Sequence, residues 1–352
     1  MKSLLLQSKN ICMNNALHGS TRAAALGQVL RPNKVVAQKT SCVSGEFSSG
    51  THADGALTCR YKLYQPLGQA GKELPLVVML HGCTQDPDDF AAGTAMNERA
   101  REQGFFVLYP QQAQDANPSR CWNWFEPEHQ ERGRGEPALI ASLTQEVIKQ
   151  HGIDAGRVYV AGLSAGGAMA VIVAAAYPEL FAAVGVHSGL PGGAASNVAE
   201  ALMVMQRGQV GIVLRAKGGR AGTAPKALLE PQVPVPTIVF HGDQDHTVHP
   251  RNGEQVIVAA LGAAAGAPDT HARPSGSAQV EQGVSSRGRR YTRSTQHGDQ
   301  GQALTEHWLV HGAGHAWSGG QAKGSYTDTA GPDATLEMLR FFFEHVKASG
   351  GV

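Results

Sequence analysis

Charge is scarce in this chain. Only 17% of its 352 residues are Asp, Glu, Lys or Arg, and 30 basic side chains stand against 29 acidic ones, a formal net charge of +1. So small an imbalance excludes the broad positive field on which nucleic-acid binders depend, and it excludes an acidic tail. Long apolar runs are also missing. The longest, Ala168–Tyr177, has the length of a buried helix and falls well short of the ~20 residues of a membrane span. Cysteine is sparse: Cys12, Cys42, Cys59, Cys83 and Cys121 all lie in the first 121 residues, and no C-x-x-C occurs, so zinc-ligand spacing is absent. An oxidising compartment would favour pairing Cys42 with Cys59 and Cys83 with Cys121. Small buried thiols are the alternative, and spacing does not decide between them.

What the chain does have is apolar material. Hydrophobic residues make up 42% and glycines number 43, enough for a large core and too apolar for a disordered chain. Met1-Lys2 followed by Leu4-Leu5-Leu6 begins like a secretion signal. Gln7-Ser8-Lys9-Asn10 then breaks the apolar stretch well before the ~7–15 residues of a signal core. Residues 1–40 therefore read as a flexible extension, and 41–352 as one domain.

From Phe47 onward, strand and helix patterns alternate. Tyr61–Tyr64 alternates polar and apolar, as a half-buried strand does. Leu74–His81, Phe105–Tyr109, Arg157–Ala161, Ala183–His187 and Thr237–His241 are continuous apolar runs, the mark of strands buried on both faces. Helical patterns occupy Asp88–Gln103, Pro137–His151, Ala165–Tyr177, Asn252–Leu261 and Asp333–Val346, the last with Leu336, Leu339, Phe342, Phe343 and Val346 on its apolar face. This alternation predicts an α/β protein with a mostly parallel central sheet covered by helices on both faces. Gly262–Arg290, rich in Gly, Ala, Pro and Ser, reads as an exposed insertion (262–290), followed by strands at Arg289–Gln296 and Ala303–Val310.

Gly162-Leu163-Ser164-Ala165-Gly166 matches G-x-S-x-G. Alone the pattern is weak, but a strand runs directly into it and a small-residue helix directly out. That context makes a tight turn with the serine hydroxyl exposed, and side chains at 162 and 166 would collide where strand and helix meet. A neutral serine is a poor nucleophile; it needs a base, and the base an orienting acid. His315, between a predicted strand and the last helix and preceded by glycines, is the expected base, with His311 the alternative. The acid is expected on the turn after Thr237–His241, at Asp245, with Asp243 the alternative. Functional groups of α/β sheets gather at such carboxyl ends. The order Ser164, Asp245, His315 is that of α/β-hydrolases. Two backbone N–H donors for an oxyanion are expected from Ala165 and, in the loop after Leu74–His81, from Cys83. His81 itself reads as a residue shaping that loop.

The segments LHGCTQ, CWNWF, GLSAGGAM, HGDQDHTV and GAGHAWSGG, in that order, resemble the esterase family of poly(3-hydroxybutyrate) depolymerases, related to feruloyl and acetylxylan esterases in the α/β-hydrolase superfamily. The similarity covers about residues 42–347. It implies a serine carboxylesterase without a cofactor: Ser164 as nucleophile, Asp245 as acid, His315 as base, the Cys83 amide in the oxyanion hole, and Trp122, Trp124 and Trp317 lining the ester cleft. The substrate would be a hydroxyalkanoate polyester or its oligomers, or else feruloyl or acetyl esters of plant cell walls. Members acting on crystalline polyester append a linker and a substrate-binding domain, whereas here the chain ends at Val352, which speaks against that activity. Many members are exported, so the resemblance favours an extracellular or periplasmic location that the N-terminus does not support.

Two rival readings remain. His241, Asp243, Asp245, His246 and His249 form a dense cluster of the kind divalent metals favour, which would make a metal-dependent hydrolase. It leaves the serine turn unexplained. A non-enzymatic binding protein on the same scaffold would be marked by a broken triad, yet each member has a candidate here.

Overall fold

The computed structural model describes residues 45–55, 57–68, 71–208, 234–266 and 273–347. Residues 1–40, Cys12 and Cys42 lie outside them. From residue 45 on, the described chain belongs to one compact unit.

Ten strands build one sheet. In chain order they are β1 (Glu46–Asp54), β2 (Leu57–Gln65), β3 (Leu76–Leu80), β4 (Phe106–Gln111), β5 (Val158–Leu163), β6 (Ala183–His187), β7 (Thr237–Gly242), β8 (Pro274–Val284), β9 (Arg290–Gly298) and β10 (Ala303–Val310). Their spatial order is β1-β2-β4-β3-β5-β6-β7-β10-β9-β8. The six strands from β4 to β10 in that order are parallel, and antiparallel pairs close both edges. The central strands β3, β5, β6 and β7 are buried at every residue, which is why each reads as an unbroken apolar run.

Helices α1 (Pro87–Thr94), α2 (Met96–Gln103), α3 (Gly135–His151), α4 (Ala165–Ala176), α5 (Val198–Arg207), α6 (Arg251–Gly266) and α7 (Ala334–Phe343) cover the sheet. One core joins Leu139, Ile140, Leu143, Met169, Ile172 and Val256 of α3, α4 and α6 to one face. A second joins Phe90, Met96, Met338, Leu339 and Phe342 of α1, α2 and α7 to the other. This is the mostly parallel, helix-covered sheet expected from the alternation of patterns, and the α/β-hydrolase architecture that the family resemblance implies.

Three local expectations are corrected. Asp88–Gln103 is two helices, because Ala95 takes a left-handed φ of 55° and its N–H closes the first helix on Ala91. The supposed insertion contains β8, an edge strand paired with β9; nearly all of its residues are exposed, so no apolar alternation marked it. The last helix ends at Phe343 and buries Met338, Leu339, Phe341 and Phe342, leaving Leu336 and Val346 in solvent.

Candidate active site

Four neighbouring parallel strands, β5, β6, β7 and β10, end on one rim of the sheet, and the candidate residues follow three of them. Ser164 comes directly after β5, at φ 58° and ψ −119°, and α4 starts at the next residue. A left-handed φ on a serine is strained, and here the surroundings hold it. The Ser164 N–H donates to the carbonyl of His187 at 2.9 Å, and its carbonyl accepts the Ala168 N–H at 2.9 Å. A Cβ on Gly162 would lie 2.3 Å from the Gly166 carbonyl, and one on Gly166 only 2.1 Å from the Leu80 oxygen. Strand, helix and β3 thus approach as closely as the sequence pattern required, and Ser164 remains 8% exposed.

Asp245 lies on the turn after β7 and His315 in the loop after β10. His315 Nδ1 donates to Asp245 Oδ2 at 2.7 Å. The other carboxylate oxygen, Oδ1, accepts the N–H groups of Thr247 (2.9 Å) and Val248 (2.8 Å). Burial alone would raise the Asp245 carboxyl. Contacts with His241 and His315, the charge of His315 and the Val248 N–H outweigh it and hold the group well below the usual carboxylate range. Asp245 is therefore a carboxylate behind an imidazole whose Nε2 edge takes no hydrogen bond from the described residues. No hydrogen bond joins Ser164 Oγ to His315 among the described residues, and catalytic hydrogen bonds of this kind commonly tighten only in the Michaelis complex. The two groups share a neighbourhood nonetheless. His187, whose carbonyl holds Ser164, feels the charge of His315, although burial is the first cause that lowers its pKa to about 3.

The two alternatives, Asp243 and His311, pair with each other at 3.0 Å. His241, inside the proposed metal cluster, donates Nε2–H to the Val248 carbonyl at 2.8 Å and lies 3.5 Å from Asp245 Oδ2. His249 Nδ1 accepts the Arg251 N–H at 3.1 Å. The cluster is dispersed into separate hydrogen bonds, and among the described residues no group of three or more His, Cys, Asp or Glu is arranged to hold a metal ion.

The loop after β3 is tightly tied. Gly82 N–H donates to Gln85 Oε1 (2.9 Å), Thr84 N–H to Ser119 O (2.7 Å) and Gln85 N–H to Gly82 O (3.3 Å). The Cys83 N–H takes no part in these bonds, and Ala165 N–H, at the first turn of α4, has no intrahelical acceptor. His81 shapes the loop: its Nδ1 donates to Gly82 O at 2.8 Å and its Nε2 accepts the Gln112 N–H at 3.1 Å. Burial lowers its pKa to about 4, so it is a neutral imidazole. Gln85, a residue outside the expected site, also bonds Asp89 and Ser325 and so ties this loop to the segment after His315. Its position inside LHGCTQ was the available signal.

Cys83 and Cys121 form a disulfide, whereas Cys59 is a free buried thiol on β2, which corrects the Cys42–Cys59 pairing. Burial pushes that thiol up to about 11. The tryptophans expected at the cleft are buried. Trp122, Trp124 and Trp317 are 2%, 4% and 1% exposed. The Trp122 indole donates to His81 O at 3.1 Å, and the Trp317 indole donates to Thr335 Oγ1 at 3.0 Å while its ring stacks on His187. All three are packed into the protein, Trp124 edge-on against Phe125.

Among solved structures, an acetyl xylan esterase from Aspergillus awamori superposes with a TM-score of 0.60 at 19% identity, covering 85% of this chain and 100% of that one, a likeness of fold. A poly(3-hydroxyalkanoate) depolymerase C of Paucimonas lemoignei is 36% identical over 188 residues, 52% of this chain and 43% of that protein, so the match spans less than half of that relative's length. Feruloyl esterase B of Thermothelomyces thermophilus is 27% identical over 231 residues, 62% of this chain and 75% of the relative. The esterase PHB depolymerase family matches residues 59–283, which include Ser164, Asp245 and the Cys83 loop, while His315 lies beyond. With well over half of its length matched, this chain belongs to the esterase PHB depolymerase family.

Proposed function

We propose that residues 41–352 form a serine carboxylesterase that cleaves hydroxyalkanoate polyester or its oligomers through an acyl-enzyme. The observation that carries this reading is the 2.7 Å bond from His315 Nδ1 to the Asp245 carboxylate, on the sheet rim that holds a strained Ser164. Ser164 Oγ attacks the ester carbonyl as His315 Nε2 takes its proton, and the imidazolium is stabilised by Asp245. The tetrahedral oxyanion is met by the N–H groups of Cys83 and Ala165. His315 then hands the proton to the departing alkoxide, which leaves as the alcohol. Water, deprotonated by the same ring, then attacks the acyl-serine; the acyl–Oγ bond breaks, the hydroxy acid leaves and the ring returns the proton to Ser164 Oγ. His241 and the backbone at Thr247 and Val248 keep Asp245 ionised throughout.

The choice of polyester rests on relatives: 36% identity to the depolymerase against 27% to the feruloyl esterase. A release assay on one purified sample, with amorphous poly(3-hydroxybutyrate), methyl ferulate and acetylated xylan in parallel, tests it. Hydroxybutyrate release is expected to dominate; release of ferulate or acetate with an inert polyester would move the assignment to cell-wall esters.

A further inference from the structure

We propose that Asp243 and His311 form a clamp that positions the loop carrying His315, and that this clamp, rather than the catalytic pair alone, sets the aim of the base. The inference rests on the serine-esterase reading above. Both loops leave adjacent parallel strands, β7 and β10, whose last paired residues are Gly242 and Val310. Past that point the ladder ends, yet the two loops stay joined. Asp243 N–H donates to Val310 O at 3.1 Å and Gln244 N–H to Ala313 O at 3.0 Å. The Asp243 carboxylate then closes the junction from the side: Oδ1 accepts the Gly312 N–H at 2.7 Å, and Oδ2 accepts His311 Nδ1–H at 3.0 Å. His311 Nε2 accepts the Thr292 hydroxyl of β9 at 2.9 Å. A Cβ on Gly242 would stand 2.3 Å from the Ala313 oxygen, so the loops meet at backbone contact distance.

Two features make this a device for geometry rather than for stability. The His311 and Asp243 side chains are 30% and 29% exposed, and a polar pair that open to solvent contributes little to folding. Both carboxylate oxygens of Asp243 nevertheless go to consecutive residues, 311 and 312, of the loop that presents His315 three residues later, where its ring meets Asp245. Thr292, His311 and Asp243 copy the hydroxyl–imidazole–carboxylate order of a relay, but Thr292 lies within the antiparallel strand β9, without a strained turn or a helix start to supply an oxyanion donor. The trio therefore orients and does not react.

The test compares Asp243→Ala, Asp243→Asn and His311→Phe with the full chain on a p-nitrophenyl ester, reading kcat, KM and Tm. Asp243→Ala releases Gly312 and His311 together and is expected to lower kcat on the order of 10²-fold with KM nearly unchanged, the signature of a misaimed base. Asp243→Asn keeps an acceptor for the Gly312 N–H, and its amide can donate to the other tautomer of His311. It should restore kcat to within about tenfold of the parent. His311→Phe decides the matter if Asp243→Ala does not fold, and is expected to lower kcat at constant KM. Unchanged kcat in Asp243→Ala or His311→Phe, equal losses in the Ala and Asn variants, or a change confined to KM would overturn the clamp. Full hydrolysis by Ser164→Ala would instead overturn the esterase reading itself.

Discussion

The indole N–H of Trp122 donates to the carbonyl of His81 at 3.1 Å, and the disulfide from Cys121 to Cys83 runs beside it. Two neighbours in one segment thus grip two residues of the loop after β3, a covalent link on one side and a buried hydrogen bond on the other. Gln112 adds a third hold through His81 Nε2, and its side chain bonds the buried Glu136 at 2.6 Å. Glu136 in turn accepts the backbone N–H of Asn123 at 2.8 Å. The loop that offers the Cys83 amide is therefore fixed from a rigid buried network.

Breaking the covalent part of that grip should cost turnover before it costs binding. In the Cys83→Ser, Cys121→Ser double variant the amide at position 83 is retained but freed. A fall in kcat of up to ~10²–10³ is expected, the usual effect of losing one oxyanion donor. Opening a 38-residue separation should also lower stability by about 4 kcal/mol. Steady-state kinetics beside urea titration separates the two, and a double variant with undiminished kcat would show that the disulfide is not what holds that amide in place.

Buried imidazoles make stability fall in acid. Burial lowers His81 to about 4 and His187 to about 3, whereas in the unfolded chain each takes up its proton near ~6.5. The unfolded state binds more protons between those values, so stability is greatest above ~6.5 and declines as pH falls toward about 4, by on the order of 1.4 kcal/mol per unit and group. Urea midpoints at pH 7.5, 6 and 5 should decrease in that order; equal midpoints would contradict neutral burial.

The serine turn was legible because its requirement is steric and local: two glycines flank the serine where strand, turn and helix crowd together. The parallel core was legible for a related reason, since strands buried on both faces need unbroken apolar runs. Asp245 and Asp243 stand two residues apart on one turn, and only the direction of each carboxylate separates them: one faces His315, the other His311. That direction is a tertiary property. The edge strand β8 escaped for the opposite reason, because an exposed strand needs no alternation and its Gly, Ser and Gln content looks like a loop. Ala95 broke a helical pattern with a left-handed residue that its side chain does not announce. The burial of Trp122, Trp124 and Trp317 is set by tertiary packing that their motifs do not spell out.

Ser164→Ala tests the central claim most directly. The substitution removes one oxygen from a residue whose backbone is held by His187 and Ala168. Hydrolysis of a p-nitrophenyl ester at saturating substrate should fall on the order of 10⁶-fold, with Tm and far-UV circular dichroism unchanged. A folded Ser164→Ala protein that still turns over the ester at a rate near the parent's would contradict the account.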